Sequence, residues 1–109
     1  MAAWTVRLAR QAEQDIADIL AWTEEHFGSR QAGVYAETLT LALEALTDGP
    51  GASGAKGRDD ILPGIRTLHV ARRGRHGRHF VVFRTSEDCC IDVLRILHDS
   101  MDLTRHVEI

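Results

Sequence analysis

Between His79 and His106 the chain reads HFVVFRTSEDCCIDVLRILHDSMDLTRH, two apolar runs around a polar turn, and this stretch restricts the possible folds more than any other. His79 to Thr85 is β-branched and aromatic, Ser86-Glu87-Asp88 supplies turn chemistry, and Cys89 to His98 is apolar again, which is the pattern of a β-hairpin. Two strands alone are not stable in water and require a third strand or a helical layer. Both runs are apolar at successive positions. Phe80 and Val82 are expected to point one way and Val81 and Phe83 the other, with Leu94 and Ile96 alternating likewise with Val93 and Leu97. Such strands need cover on both faces.

The upstream sequence offers cover for one face. Ala12, Ile16, Ile19, Leu20, Thr23 and Phe27 recur at helical spacing, with Glu13, Asp18 and Glu25 opposite. Gly28 suits a helix C-cap and Ser29 an N-cap for the next segment. There Ala32, Tyr35, Ala36, Leu39, Ala42, Leu43 and Leu46 trace a second apolar face that ends at Asp48-Gly49-Pro50. So short a loop makes the helices an antiparallel αα-hairpin. Trp4 to Leu8 alternates like a first short strand, and Ile65 to Val70, after Pro63-Gly64, like another, with Arg66, Leu68 and Val70 on one face. Gly51 to Asp60 is glycine-rich and lacks large apolar residues, as a mobile loop would. The order β-α-α-β-β-β predicts an α+β domain over residues 1–109, an αα-hairpin packed on one face of a twisted, mainly antiparallel sheet. The other sheet face is expected to be bare and therefore to bind a partner.

Charge is strongly segregated behind a net −3: residues 1–50 carry eight acids and three bases, 51–84 eight bases and two acids, and 85–109 six acids and two bases. A basic middle suits an acidic partner or a phosphate backbone. Its densest part, Arg72 to His79, has glycines but no interleaved aromatic before Phe80, and reads first as a solvated hairpin loop. The adjacent cysteines Cys89 and Cys90 face opposite ways in a strand and cannot bridge without distortion. No signal segment and no apolar run of ~20 residues is present, which places the chain in the cytoplasm and off the membrane. The pair His76 and His79, flanked by glycine and arginine, does not read as a metal site, and no phosphate loop, nucleophile elbow or acid–base carboxylate pair is evident. No cofactor, metal or catalytic residue is expected. Arg66, Arg84 and Arg95 lie within the expected strands, with His98 where the last one ends. Converging on the bare face, they would form an anion-facing cluster.

At Val93-Leu94-Arg95-Ile96-Leu97-His98, Met101-Asp102 and Arg105-His106 the sequence resembles the C-terminus of the ParE toxins, part of the RelE/ParE superfamily of bacterial type II toxin–antitoxin systems. The likeness continues through Asp15-Ile16, Phe27-Gly28, Pro63-Gly64-Ile65-Arg66 and His79-Phe80-Val81-Val82-Phe83-Arg84, covering nearly the whole chain. It implies two antiparallel helices on a twisted sheet and a ParD-like ribbon-helix-helix antitoxin whose C-terminal segment folds onto the toxin. It further implies inhibition of DNA gyrase by a non-enzymatic mechanism, with DNA reached only through the antitoxin. On that resemblance the antitoxin- or target-binding residues are Arg66, Phe80, Val82, Arg84, Arg95 and His98. Two alternatives are an mRNA endonuclease of the RelE type, with His98 as general acid, and a non-toxic module that acts only in operon autoregulation.

Overall fold

A computed structural model describes residues 3–107. Strand β1 (Thr5–Leu8) leads into helices α1 (Arg10–Phe27) and α2 (Ser29–Ala45), followed by β2 (Lys56–Gly57), β3 (Arg66–His69), β4 (His79–Ser86) and β5 (Cys90–His98). Single turns of 3-10 helix follow α2 at Leu46–Asp48 and β5 at Leu103–Arg105. The sheet has five strands in the order β1-β5-β4-β3-β2, antiparallel except for the parallel pairing of β1 with β5. The expected α+β architecture and element order are therefore present. Among the described residues no helix is long and apolar enough to cross a membrane.

Gly28, at φ 91°, reverses the chain between the helices in a backbone conformation that a β-carbon disfavours. The helices pack on one sheet face, where Ala12, Leu39, Ala42 and Leu46 meet Leu68, Val81, Phe83, Ile91, Val93 and Ile96. Each large aliphatic or aromatic side chain buried there contributes ~1.5–3 kcal/mol relative to exposure.

The opposite sheet face is not bare, which corrects the sequence expectation. Ile61 and Ile65 from the segment before β3, and Leu103 and Val107 after β5, close over Val82 and Leu97 in a second core. Apolar residues flanking the Pro63-Gly64 turn and within and after the C-terminal 3-10 turn thus let the chain cover its own sheet. The glycine-rich segment also differs from a featureless loop: Ala52 is buried in the first core, and Lys56–Gly57 pairs with β3.

A β-bulge alters the expected alternation in β5. Val82 pairs with Arg95 while Phe83 pairs with Val93, so Leu94 is the extra residue. Consequently Val93 and Ile96 face the helices, while Leu94 and Leu97 belong to the second core. Arg66, Leu68 and Val70 do share a face, as their spacing implies: Leu68 and Val70 lie in the first core, and Arg66 pairs with the inward-facing Phe83.

Candidate functional site

The surface left open lies at the tip of the helical hairpin. Trp22 (55% exposed), Phe27 (63%) and Val34 (48%) protrude there instead of joining the core. Together with the loop from Gly74 to His79 they border a groove of about 1010 Å³ whose lining also includes Tyr35 and His98. The loop is held in place by one of its own arginines. Arg75 donates to the Thr38 hydroxyl, the Val34 carbonyl and the Glu37 carboxylate, so it ties the basic tract to α2. The tract is thus more than the solvated loop its composition suggested.

Polar groups meet where the groove reaches the sheet. The Tyr35 hydroxyl accepts from the Arg78 backbone N–H at 3.1 Å and lies 2.6 Å from His79 Nδ1. The arrangement that uses the hydroxyl proton has Tyr35 donating to His79, which leaves the imidazole proton on Nε2. Burial, reinforced by the neighbouring His98, pushes the His79 pKa down to about 4, so this ring is neutral at physiological pH. Burial also raises the Tyr35 pKa, against the lowering effect of the Arg78 N–H. The His79 and His98 rings stand edge to face at 5.2 Å. His98 Nδ1 accepts from the Ser100 N–H and lies 2.7 Å from the Ser100 hydroxyl.

Asp99 adjoins this group. It takes hydrogen bonds from His69 Nε2 at 2.9 Å and Arg78 Nε at 3.1 Å, and these hold its carboxyl below the usual range. The His69 tautomer follows from its contacts, because the Ala71 N–H can only donate to Nδ1 and the ring proton must then sit on Nε2. Among the described residues no cluster of His, Cys, Asp and Glu is arranged to hold a metal ion.

Of the six residues expected to bind a partner, only His98 lines this groove. Val82 is fully buried in the second core, and Phe80 packs partly against it. Arg66 turns to the helix side, where its guanidinium donates to the Pro50 carbonyl at 2.8 Å. Arg95 forms a two-point ion pair with Asp15 of α1, at 2.8 and 2.9 Å. Arg84 lies on the Val82 side of β4, in register with Asp92, which is itself paired with Arg7. The arginines therefore do not converge: Arg66 turns to Pro50 on the helix side, Arg95 reaches α1, and Arg84 stays on the Val82 side of β4. Trp22 and Val34 escaped the sequence reading since they lie off the apolar helical stripe. That offset of large apolar residues was the available signal.

Comparison with known proteins identifies the class. A family model described as "ParE toxin of type II toxin-antitoxin system, parDE" matches residues 6–103. The chain belongs to the ParE toxin family of type II toxin–antitoxin systems. It is 32% identical to Toxin ParE1 of Caulobacter vibrioides over 101 residues, covering 93% of this chain and 95% of that one. It is 30% identical to Toxin ParE1 of Mycobacterium tuberculosis over 100 residues, covering 92% and 94%. Among solved structures the fold is similar to the chromosomal ParDE toxin–antitoxin system of P. aeruginosa, at TM-score 0.71 and 20% identity over 90% of this chain and 98% of that one. It also matches the toxin–antitoxin complex RelBE2 of M. tuberculosis, at TM-score 0.58 and 20% identity over 88% and 98%.

Proposed function

We propose that this chain is a toxin that acts in the cytoplasm by inhibiting DNA gyrase and is held inactive by a ParD-like antitoxin seated in the hairpin-tip groove. The observation that carries the antitoxin half is the exposed apolar group Trp22, Phe27 and Val34, set beside the cationic loop. A small domain that has already closed both sheet faces has little reason to expose three large apolar side chains together, and such a patch marks a partner site. An amphipathic segment with apolar anchors and flanking acids fits it, the anchors against Trp22 and Phe27 and the acids toward Arg78, whose side chain is 70% exposed. Burial of that apolar surface stabilises the complex by ~25 cal/mol per Å² before ordering costs. Family membership supports gyrase as the target.

One observation favours a second reading, mRNA cleavage of the RelE type. Tyr35, neutral His79 and His98 gather on the groove beside Arg78, a set able to move protons and hold a phosphate. Expression without antitoxin is expected to arrest growth with loss of negative supercoiling, and purified chain is expected to inhibit supercoiling by gyrase in vitro. His98→Ala should leave that arrest nearly intact. Loss of toxicity in His98→Ala with antitoxin binding retained, accompanied by cleaved mRNA in the parent, would establish the nuclease instead. Harmless expression of a folded parent would leave only the non-toxic module.

A further inference from the structure

At the edge of β3, sharing no lining residue with the groove, the start of the basic tract lines a second and smaller hollow of about 320 Å³. Lys56, Arg72 and Arg73 bring three cations to it, and among the described residues no carboxylate belongs to its lining. His69 lines it too, but both of its ring nitrogens are engaged, one by the Ala71 N–H and the other by Asp99, which is itself paired with Arg78. The local field is therefore set by the lysine and the two arginines.

Two details argue that this is a built site and not a chance gathering of charge. Arg73 adopts φ 51°, a left-handed conformation that disfavours side chains with a β-carbon, so the turn carries an arginine where a glycine would be less strained. Arg72 donates from Nη2 to the Ser53 carbonyl across the hollow, while its Nε is buried without a hydrogen-bond partner among the described residues. A guanidinium held this way has a donor to offer if its head group shifts toward an anion.

The hollow also answers an objection that the linear sequence raises. The tract from Arg72 onward contains no aromatic residue before Phe80, so it lacks the stacking surface of a nucleic-acid binder. Antiparallel pairing of β3 with β4 places Phe80 directly opposite His69, and both rings line the hollow with Arg72 and Arg73. The fold thus supplies beside the cations the aromatic partner that the order of residues withholds. We infer that this hollow binds a single-stranded nucleic acid, with a backbone phosphate against Lys56, Arg72 and Arg73 and a base against Phe80. Because it shares no lining residue with the groove, the site stands whether or not the groove takes an antitoxin.

Fluorescence anisotropy of the full chain with a labelled oligothymidylate about 12 nucleotides long tests it. The Lys56→Gln/Arg73→Gln double variant alters two exposed residues, and its thermal melt is expected to match the parent's. It should bind roughly tenfold more weakly, with the slope of log K against log salt reduced by about 1.4 for two lost phosphate contacts on a single strand. Phe80→Leu, which retains packing on the second core, should weaken binding roughly fivefold or more through lost stacking. Double-variant binding within a factor of about two of the parent, or an unchanged salt slope, would overturn the inference. Equal competition by polyglutamate of the same length would overturn it as well, since the hollow would then be a general acceptor for acidic protein segments.

Discussion

Asp15 connects the helical layer to the sheet. Beyond Leu8 no strand among the described residues lies beside the outer edge of β5, and the Asp15 carboxylate takes over by accepting the Ile96 N–H at 2.9 Å and the Nε and Nη2 donors of Arg95. Asp15→Ala would leave a backbone donor and a partly buried guanidinium without this acceptor, at a cost of roughly 2–3 kcal/mol. Urea denaturation should show that loss, and Asp15→Asn, which keeps an acceptor, should lose less. His79 gives a pH signature at the same scale. Its folded pKa of about 4 lies below the ordinary 6.5, so between those values the unfolded chain binds more protons and stability rises with pH. The penalty is complete below the folded value and gone above the unfolded one. With the ring only partly shielded, solvent screening reduces the penalty to about 1–2 kcal/mol. Urea midpoints measured across that window should climb in the parent and flatten in His79→Gln, whose amide oxygen can still accept from Tyr35.

The bulge in β5 and the loop before β4 decide the positions of whole elements. One extra residue at Leu94 moves every later side chain of β5 to the opposite face, so Leu97 reaches the second core and His98 the groove. A regular strand would have sent His98 away from Tyr35. The loop depends on close approach at Gly77, where a β-carbon would stand 2.5 Å from Val70 Cγ2 and 3.1 Å from the Tyr35 hydroxyl. Gly77→Ala forces the loop, Val70 or Tyr35 to shift, and is expected to disturb the hydrogen bond from Arg78 to Tyr35. It is expected to cost roughly 1–3 kcal/mol through overpacking and to weaken antitoxin binding by deforming the groove. A variant with parental stability and parental affinity would show that the loop does not shape the site.

For the whole molecule, self-covered sheet faces leave the hairpin tip as the apolar surface on which the proposed antitoxin would seat. Trp22→Ser removes an exposed anchor that stacks on His26 at 4.1 Å and meets Phe27 edge-on. It should leave stability within about 0.5 kcal/mol while weakening a cognate antitoxin by 2 kcal/mol or more, roughly thirtyfold. Calorimetric titration would measure the affinity, and unchanged binding would move the antitoxin elsewhere. The helical stripes, the hairpin around Ser86-Glu87-Asp88 and the element order were legible because each depends on local periodicity and turn chemistry. The family was legible because its residues recur in order along the whole chain. The location of the candidate groove was not, since Phe27 reads as core from its spacing yet is 63% exposed in the fold.

Sequence by itself determined the two helices, the apolar strands, the segregation of charge and membership in the toxin family. Tertiary structure alone decided that both sheet faces are covered by the chain itself and what each arginine faces. The segments around Ile61, Ile65, Leu103 and Val107 have no periodicity of their own, and their apolar residues gain a role only when the chain brings them against Val82 and Leu97. Burial and ion pairing are properties of neighbours in space, and periodicity records only neighbours along one element.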